Sequence, residues 1–294
     1  MKINKLIILI IFSIGFISCE KNVTVNIPES TSKIVVEGYV ETGSAPIVLL
    51  TKSLPFFGEI NVNNILQYSI LGATVIVDNG IIADTLTQIP GYGVYISNNM
   101  LGEIGFSYKL TVITNEGTIT ALTTIPQPVS FDSTWWKVDG QRDSLGFLWG
   151  HLSDPDTLGN AYRIFTKRIN HYTYGAEIGK VKDSIFFASQ GSVFEDRYIN
   201  GRSFDINFIR GRNENSGKAD DENDERFFFK RGDTVVVKFC SIDRAHFEFW
   251  RTEESQVGNN GNPFGSPQPV HSNIIGGLGI WGGYSPSYDT VFAR

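Results

Sequence analysis

The chain is short of cysteine and histidine and has no long hydrophobic run, and each shortage excludes a class of protein. Two cysteines, Cys19 and Cys240, allow at most one disulfide in 294 residues. Stability must therefore come from buried apolar surface, which a chain of this length can supply. The four histidines (His151, His171, His246, His271) are scattered with no H-x-x-x-H pair, which argues against a sequence-local zinc site. Basic residues are outnumbered, 25 against 31 acidic, for a net charge of −6. Nucleic acid, which wants basic surface, is not an expected partner.

The common catalytic signatures are missing too. No G-x-S-x-G elbow occurs. A P-loop fails because Gly211 and Gly217-Lys218 are one residue too far apart and Ala219 cannot ligate magnesium. Gly277-Leu-Gly279-Ile-Trp-Gly282 has the glycine spacing of a dinucleotide fingerprint, but the chain ends 12 residues later, with no room for a helix and a ribose-binding acid. Those glycines are read instead as letting a strand kink or approach another backbone closely. With no local trace of a catalytic triad, the chain is read as non-enzymatic, without cofactor or metal.

What is present begins at the N-terminus. Lys2 and Lys5 precede an apolar run of 13 residues, Leu6 to Ser18. A membrane-spanning helix needs about 20 such residues, so the run has the length of a signal-peptide core and not of an anchor. It ends on Ile17-Ser18-Cys19, followed by Glu20-Lys21-Asn22. A small residue directly before a cysteine at this place resembles the lipobox read by lipoprotein signal peptidase, although Phe16 stands where Leu is usual. The resemblance implies cleavage before Cys19, a diacylglycerol on its sulfur and a third acyl chain on its freed amine. Multiple chains suffice for stable anchoring. Cys240 is then the remaining thiol, and its place in the strand-like Thr234-Val-Val-Val-Lys-Phe-Cys-Ser-Ile242 predicts a buried, inert group. Without Lys2 and Lys5 the mature net charge is about −8.

About 275 residues remain after cleavage, enough for one large or two ordinary domains. Aromatic residues make up 13% and glycines number 30, while Ile, Val, Thr, Tyr and Phe dominate the apolar runs, which is an all-β composition. Residues 19–32 read as a polar tether. From residue 33 to 125, strand-like segments recur at Lys33 to Glu41, Pro46 to Ser53, Ala73 to Asp78, Ile81 to Thr87, Tyr92 to Ser97, Phe106 to Thr114 and Thr118 to Thr124. Asp78-Asn79-Gly80 reads as a type I′ hairpin turn and Asn115-Glu116-Gly117 as another. Seven short strands in this span suit an immunoglobulin-like β-sandwich. Residues 126–130, with Pro126 and Pro128, form a stiff linker. A second β-rich domain, 131–294, contains strand-like Phe131 to Val138, Leu145 to Leu152, Ala161 to Tyr174, Phe204 to Arg210, Thr234 to Ile242 and a glycine-dense strand around Ile274 to Tyr284. It also holds one helix, Arg244 to Gln256, capped by Asp243 and carrying Phe247, Trp250 and Glu254 on one face.

Two acidic clusters have ligand density for calcium. Asp154-Pro-Asp156 reads as a turn, and Asp220-Asp-Glu-Asn-Asp-Glu225 lacks the EF-hand glycine and spacing, so a solvated loop is favoured. The tryptophans, Trp135-Trp136, Trp149, Trp250 and Trp281, raise sugar stacking, but neighbours on a strand face opposite sides, and core packing is the favoured reading.

Several segments resemble a family of Bacteroidota lipoproteins defined as domain of unknown function 4249: Lys33-Ile-Val-Val-Glu-Gly-Tyr-Val40, Leu71-Gly-Ala-Thr-Val-Ile-Val77, the Pro-x-Pro linker before Phe131-Asp-Ser-Thr-Trp-Trp136, and above all Asn262-Pro-Phe-Gly-Ser-Pro267 with Ser272-Asn-Ile-Ile-Gly-Gly-Leu-Gly-Ile-Trp-Gly-Gly-Tyr284. The resemblance implies a carboxypeptidase-regulatory-like N-terminal sandwich. It also implies an outer-membrane lipoprotein acting as a non-catalytic accessory, ligand-binding or receptor-capping, to a TonB-dependent receptor. It carries no catalytic residue. An envelope adhesion or scaffolding lipoprotein is the alternative, and a surface hydrolase the more distant one. Glu20 directly after the cysteine points to surface display, a weak signal beside Lys21, with the periplasmic face as the alternative.

Overall fold

Alternation in Ile34-Val-Val-Glu-Gly-Tyr-Val-Glu41 places Ile34, Val36 and Val40 on one side and Glu37 and Tyr39 on the other, and the segment forms strand β1 (Ile34–Glu41) with the aliphatic side buried. The computed structural model describes residues 31–54, 65–173, 178–211, 227–259 and 269–294. It is mostly β, as composition predicts. After β1 come β2 (Ile47–Lys52), β3 (Thr74–Asp78), β4 (Ala83–Thr85), β5 (Thr87–Gln88), β6 (Val94–Ile96), β7 (Ser107–Thr114) and β8 (Gly117–Thr124). Beyond the proline linker follow β9 (Ser133–Asp139), β10 (Arg142–Ser153), β11 (Ala161–Arg168), β12 (Phe187–Glu195), β13 (Ser203–Phe208), β14 (Phe229–Lys230), β15 (Thr234–Ile242), helix α1 (Arg244–Asn259) and β16 (Leu278–Phe292).

One eight-stranded sheet, ordered β12-β11-β15-β16-β1-β2-β6-β5, forms the centre. Its seam is the parallel pairing of β1 with β16, from Val35 opposite Leu278 to Glu41 opposite Tyr284. Two smaller sheets cover the same side of it. β4-β3-β7-β8 packs on the β1, β2 and β6 half, where Val36, Val48, Leu50, Tyr95, Leu110, Ile119 and Trp281 form one core. β9, β10, β13 and β14 pack on the other half around Leu148, Tyr162, Phe229, Val237 and Phe239. The predicted N-terminal sandwich is therefore present. Val129, within the 126–130 segment, packs on the second core, the central sheet is shared by both cores, and β16 supplies Trp281 to one and Val291 to the other. The opposite side of the central sheet carries α1 on a third cluster, Ala161, Cys240, Ile242, Phe247 and Tyr284.

The glycines of the last strand act as predicted. A Cβ on Gly279 would sit 1.9 Å from the Val36 carbonyl oxygen, and its φ is +107°. Gly38 leaves room for the Trp281 ring, whose Nε1–H donates to the Tyr108 carbonyl at 2.8 Å. Just ahead of the strand, Asn273 supplies a side chain where a neighbouring backbone would otherwise be. Its Oδ1 accepts from Trp281 N and its Nδ2 donates to Trp281 O.

Three local readings are refined. The first hairpin is longer than a two-residue turn, because Asp78 pairs with Ala83. Asn79 Oδ1 instead accepts from the Ile81 and Ile82 amides, and Gly80 takes the positive φ. The second predicted turn closes between Thr114 and Gly117. Helix α1 runs on to Asn259 and starts as predicted, with Asp243 Oδ1 accepting from the His246 amide at 2.8 Å.

Candidate functional site

The helix face against the central sheet encloses a polar cluster. Arg163 on β11 and His246 on α1 are buried, 6% and 1% exposed. The Arg163 guanidinium lies 3.5 Å from the Trp250 ring centroid and 4.7 Å from that of Phe165, and Nη1 donates to the Tyr284 hydroxyl at 2.9 Å. The His246 ring stands edge-on to Tyr284, 4.4 Å between centroids, hydrogen-bonded to the Gly283 backbone. Burial, reinforced by the Arg163 charge, pushes the His246 pKa down to about 3. Burial likewise raises Tyr284 to about 12 and the Cys240 thiol to about 12. Each of these groups is held neutral near pH 7. A general base or thiolate is not what the cluster offers, and Cys240 is the buried, inert thiol expected from its strand.

The remaining residues singled out from sequence lie apart from that cluster. Cys19 and the acidic run 220–225 fall outside the described residues. Among the described residues no group of three or more His, Cys, Asp or Glu side chains is placed to hold a metal. Asp154-Pro-Asp156 leads from the end of β10 into a bend, with the turn itself at Leu158-Gly159: Asp154 accepts from the Tyr162 hydroxyl at 2.5 Å and the Gly201 amide at 3.2 Å, and Asp156 accepts from Asn200 at 3.1 Å. An open cleft of about 610 Å³ lies beside Lys33, Glu116, Ile119 and Gly277, but its Glu116 is tied to Lys52 at 2.5 Å. Among the described residues no helix is long and apolar enough to cross a membrane.

The tryptophans divide in a way the sequence does not show. Trp281 and Trp136 are core residues and Trp250 stacks on Arg163. Trp135 points away from the core that Trp136 joins, as alternation requires. Directly across from it on β10 is Trp149, and across from Trp149 on β13 is Asn207. The two indoles are nearly parallel, 14° between planes and 6.3 Å between centroids, and both are half-buried. Lys137 lies 5.3 Å over the Trp149 ring. In the next row His151 Nδ1 is 2.6 Å from Asp205 Oδ1. The outer face of the β9-β10-β13 sheet thus carries the paired indoles with Phe147 and Lys137 in the row on one side and His151 and Ser133 in the row on the other. Sequence reasoning weighed these tryptophans but missed their pairing, since residues 135, 149 and 207 meet only through strand register.

Residues 20–289 match the family described as Domain of unknown function (DUF4249), and the chain belongs to that family. No curated protein is significantly similar to it.

Proposed function

We propose that this member of the family is a lipid-anchored, non-catalytic binding accessory of a TonB-dependent transport system, held at the outer membrane by acylated Cys19. The observation that carries the reading is the division of labour among the chain's polar groups. The buried His246, Tyr284 and Cys240 are locked in their neutral forms, whereas the outer face of the β9-β10-β13 sheet keeps two stacked indoles partly exposed beside Lys137, Asp205 and Asn207. Locked groups do not shuttle protons, and partly exposed aromatics beside polar groups are what a binding surface uses. The signal-like N-terminus supports the anchor.

The test is a pull-down of the full-length, C-terminally tagged protein from detergent-solubilised outer membranes, with a Cys19→Ala form as the unanchored control. A stoichiometric TonB-dependent receptor in the wild-type eluate is the expected result. A clean preparation without receptor, from a protein confirmed at the outer membrane, overturns the accessory role and leaves envelope scaffolding or adhesion.

A further inference from the structure

We infer that the Trp135–Trp149 face binds a neutral glycan, the inference resting on the binding role proposed above and naming its ligand class. Its starting point is an anomaly of burial. Outward positions of an antiparallel sheet are normally polar, and burying an indole is strongly favourable. Here one outward row places two tryptophans directly opposite each other across β9 and β10, where both keep part of their surface in solvent. Aromatic rings give broad, flat, polarisable surface whose electron-rich faces attract the slightly positive C–H bonds of a sugar ring. A sugar also needs donors and acceptors at the edge of that surface, to match hydroxyls that would otherwise lose their water. Asn207, exposed and directly across from Trp149, offers both in one amide. Asp205, exposed and paired to His151, adds acceptors one row away.

Charge decides which polar ligand fits. Lys137 is aligned with the Trp149 ring, and Asp205 faces His151, so neither sign accumulates on this face. The whole chain carries net −6. An anionic polymer would meet Lys137 on one side but Asp205 on the other, and an acyl chain would find apolar surface only toward Phe147, with Ser133, His151, Asp205 and Asn207 on the remaining sides. A polyhydroxylated, uncharged chain matches both the aromatic centre and the neutral polar surround.

The experiment is affinity electrophoresis of the full-length, detergent-solubilised protein through native gels containing starch, xylan, mannan, β-1,3-glucan or polygalacturonate. Retardation by at least one of the four neutral polymers is expected, weakened at least tenfold in Trp149→Ala and in Trp135→Ala, each confirmed folded by circular dichroism. Should either tryptophan variant fail to fold, Asn207→Ala and Lys137→Ala at exposed positions decide: a loss of threefold or more in Asn207→Ala supports the site, and wild-type retardation in both overturns it. Absence of retardation by all four neutral polymers overturns the inference, as does retardation by polygalacturonate alone. If the glycans fail while the tryptophan variants lose the receptor in the pull-down, the face is a receptor-docking surface and the glycan reading falls. Glycan binding without any receptor in the pull-down would keep this inference and overturn only the accessory role.

Discussion

His246 makes the fold's stability depend on pH in a way that one substitution can isolate. In the unfolded chain the imidazole titrates near its ordinary value of about 6.5. In the folded protein burial, with the Arg163 charge as the second cause, holds it down to about 3. A histidine whose folded pKa is depressed binds its proton more readily when unfolded. Its effect is absent above about pH 6.5, and stability falls as pH drops from there toward 3, with a limiting slope of about 1.4 kcal/mol per pH unit. Between pH 7.5 and pH 5 the expected loss from this residue is about 2 kcal/mol. The ring is 1% exposed, so solvent screening does not dilute the effect. His246→Asn removes the titration while keeping the backbone amide that Asp243 caps. Asp243, whose carboxyl is raised by burial, acts in the opposite sense at lower pH in both proteins and cancels in the comparison. Urea unfolding followed by tryptophan fluorescence, at half-unit steps from pH 7.5 to 5, should show the wild type losing about 2 kcal/mol more than the variant. A constant offset between the two proteins does not matter, because the slope is the observable. Parallel stability profiles, agreeing within about 0.5 kcal/mol, would refute the assignment of a buried neutral imidazole.

Three further outcomes follow from the packing. Gly279→Ala drives a methyl into the Val36 carbonyl at positive φ, and a loss of more than about 3 kcal/mol or outright failure to fold is expected by thermal unfolding. Asp183→Asn strips the buried Arg168 of a two-pronged partner at 2.8 and 2.9 Å, and about 3–5 kcal/mol should disappear, whereas a change below 1 kcal/mol would show the pair to be inconsequential. Cys240, with its thiol pushed up to about 12, should resist a thiol reagent at pH 8 and react promptly once denatured in urea.

Much of the strand layout was legible because the signals were local. Alternation marked β1, β7 and β8, and the run from Thr234 to Ile242 became β15 with the same bounds. Asp243 announced the helix, because an N-cap is read within a single turn. β12 was not foreseen: it contains Gly191 at positive φ, and its register with β11 shifts between Arg163 and Phe165, so period-two patterning breaks in the middle. The helix face was read as Phe247, Trp250 and Glu254, yet His246 is more buried than any of these, enclosed because Gly282 has no side chain to oppose its ring. Glu254 turns instead to the β12 strand, accepting from the Gly191 amide and the Ser192 hydroxyl. The aromatic face on β9, β10 and β13 was illegible for a related reason. Leu145 to Leu152 is apolar on both sides, so periodicity alone does not tell that Leu148 faces the core while Trp149 faces out.

The parallel seam between β1 and β16 also governs the order in which the chain can fold. The residues it joins, such as Val35 and Leu278, are separated by more than two hundred positions. Closing so long a loop is entropically slow, and topologies dominated by such contacts fold late. A chain emerging from its N-terminus presents β1 and β2 early, but β1 keeps one edge without its partner until the last strand arrives. During that interval the exposed edge is a template for pairing with other chains, the hazard that makes slow β topologies prone to aggregate. Truncation before residue 278 would make the interval permanent, removing Trp281 from one core and Val291 from the other. Completion of the central sheet, and with it of both cores, therefore waits on β16.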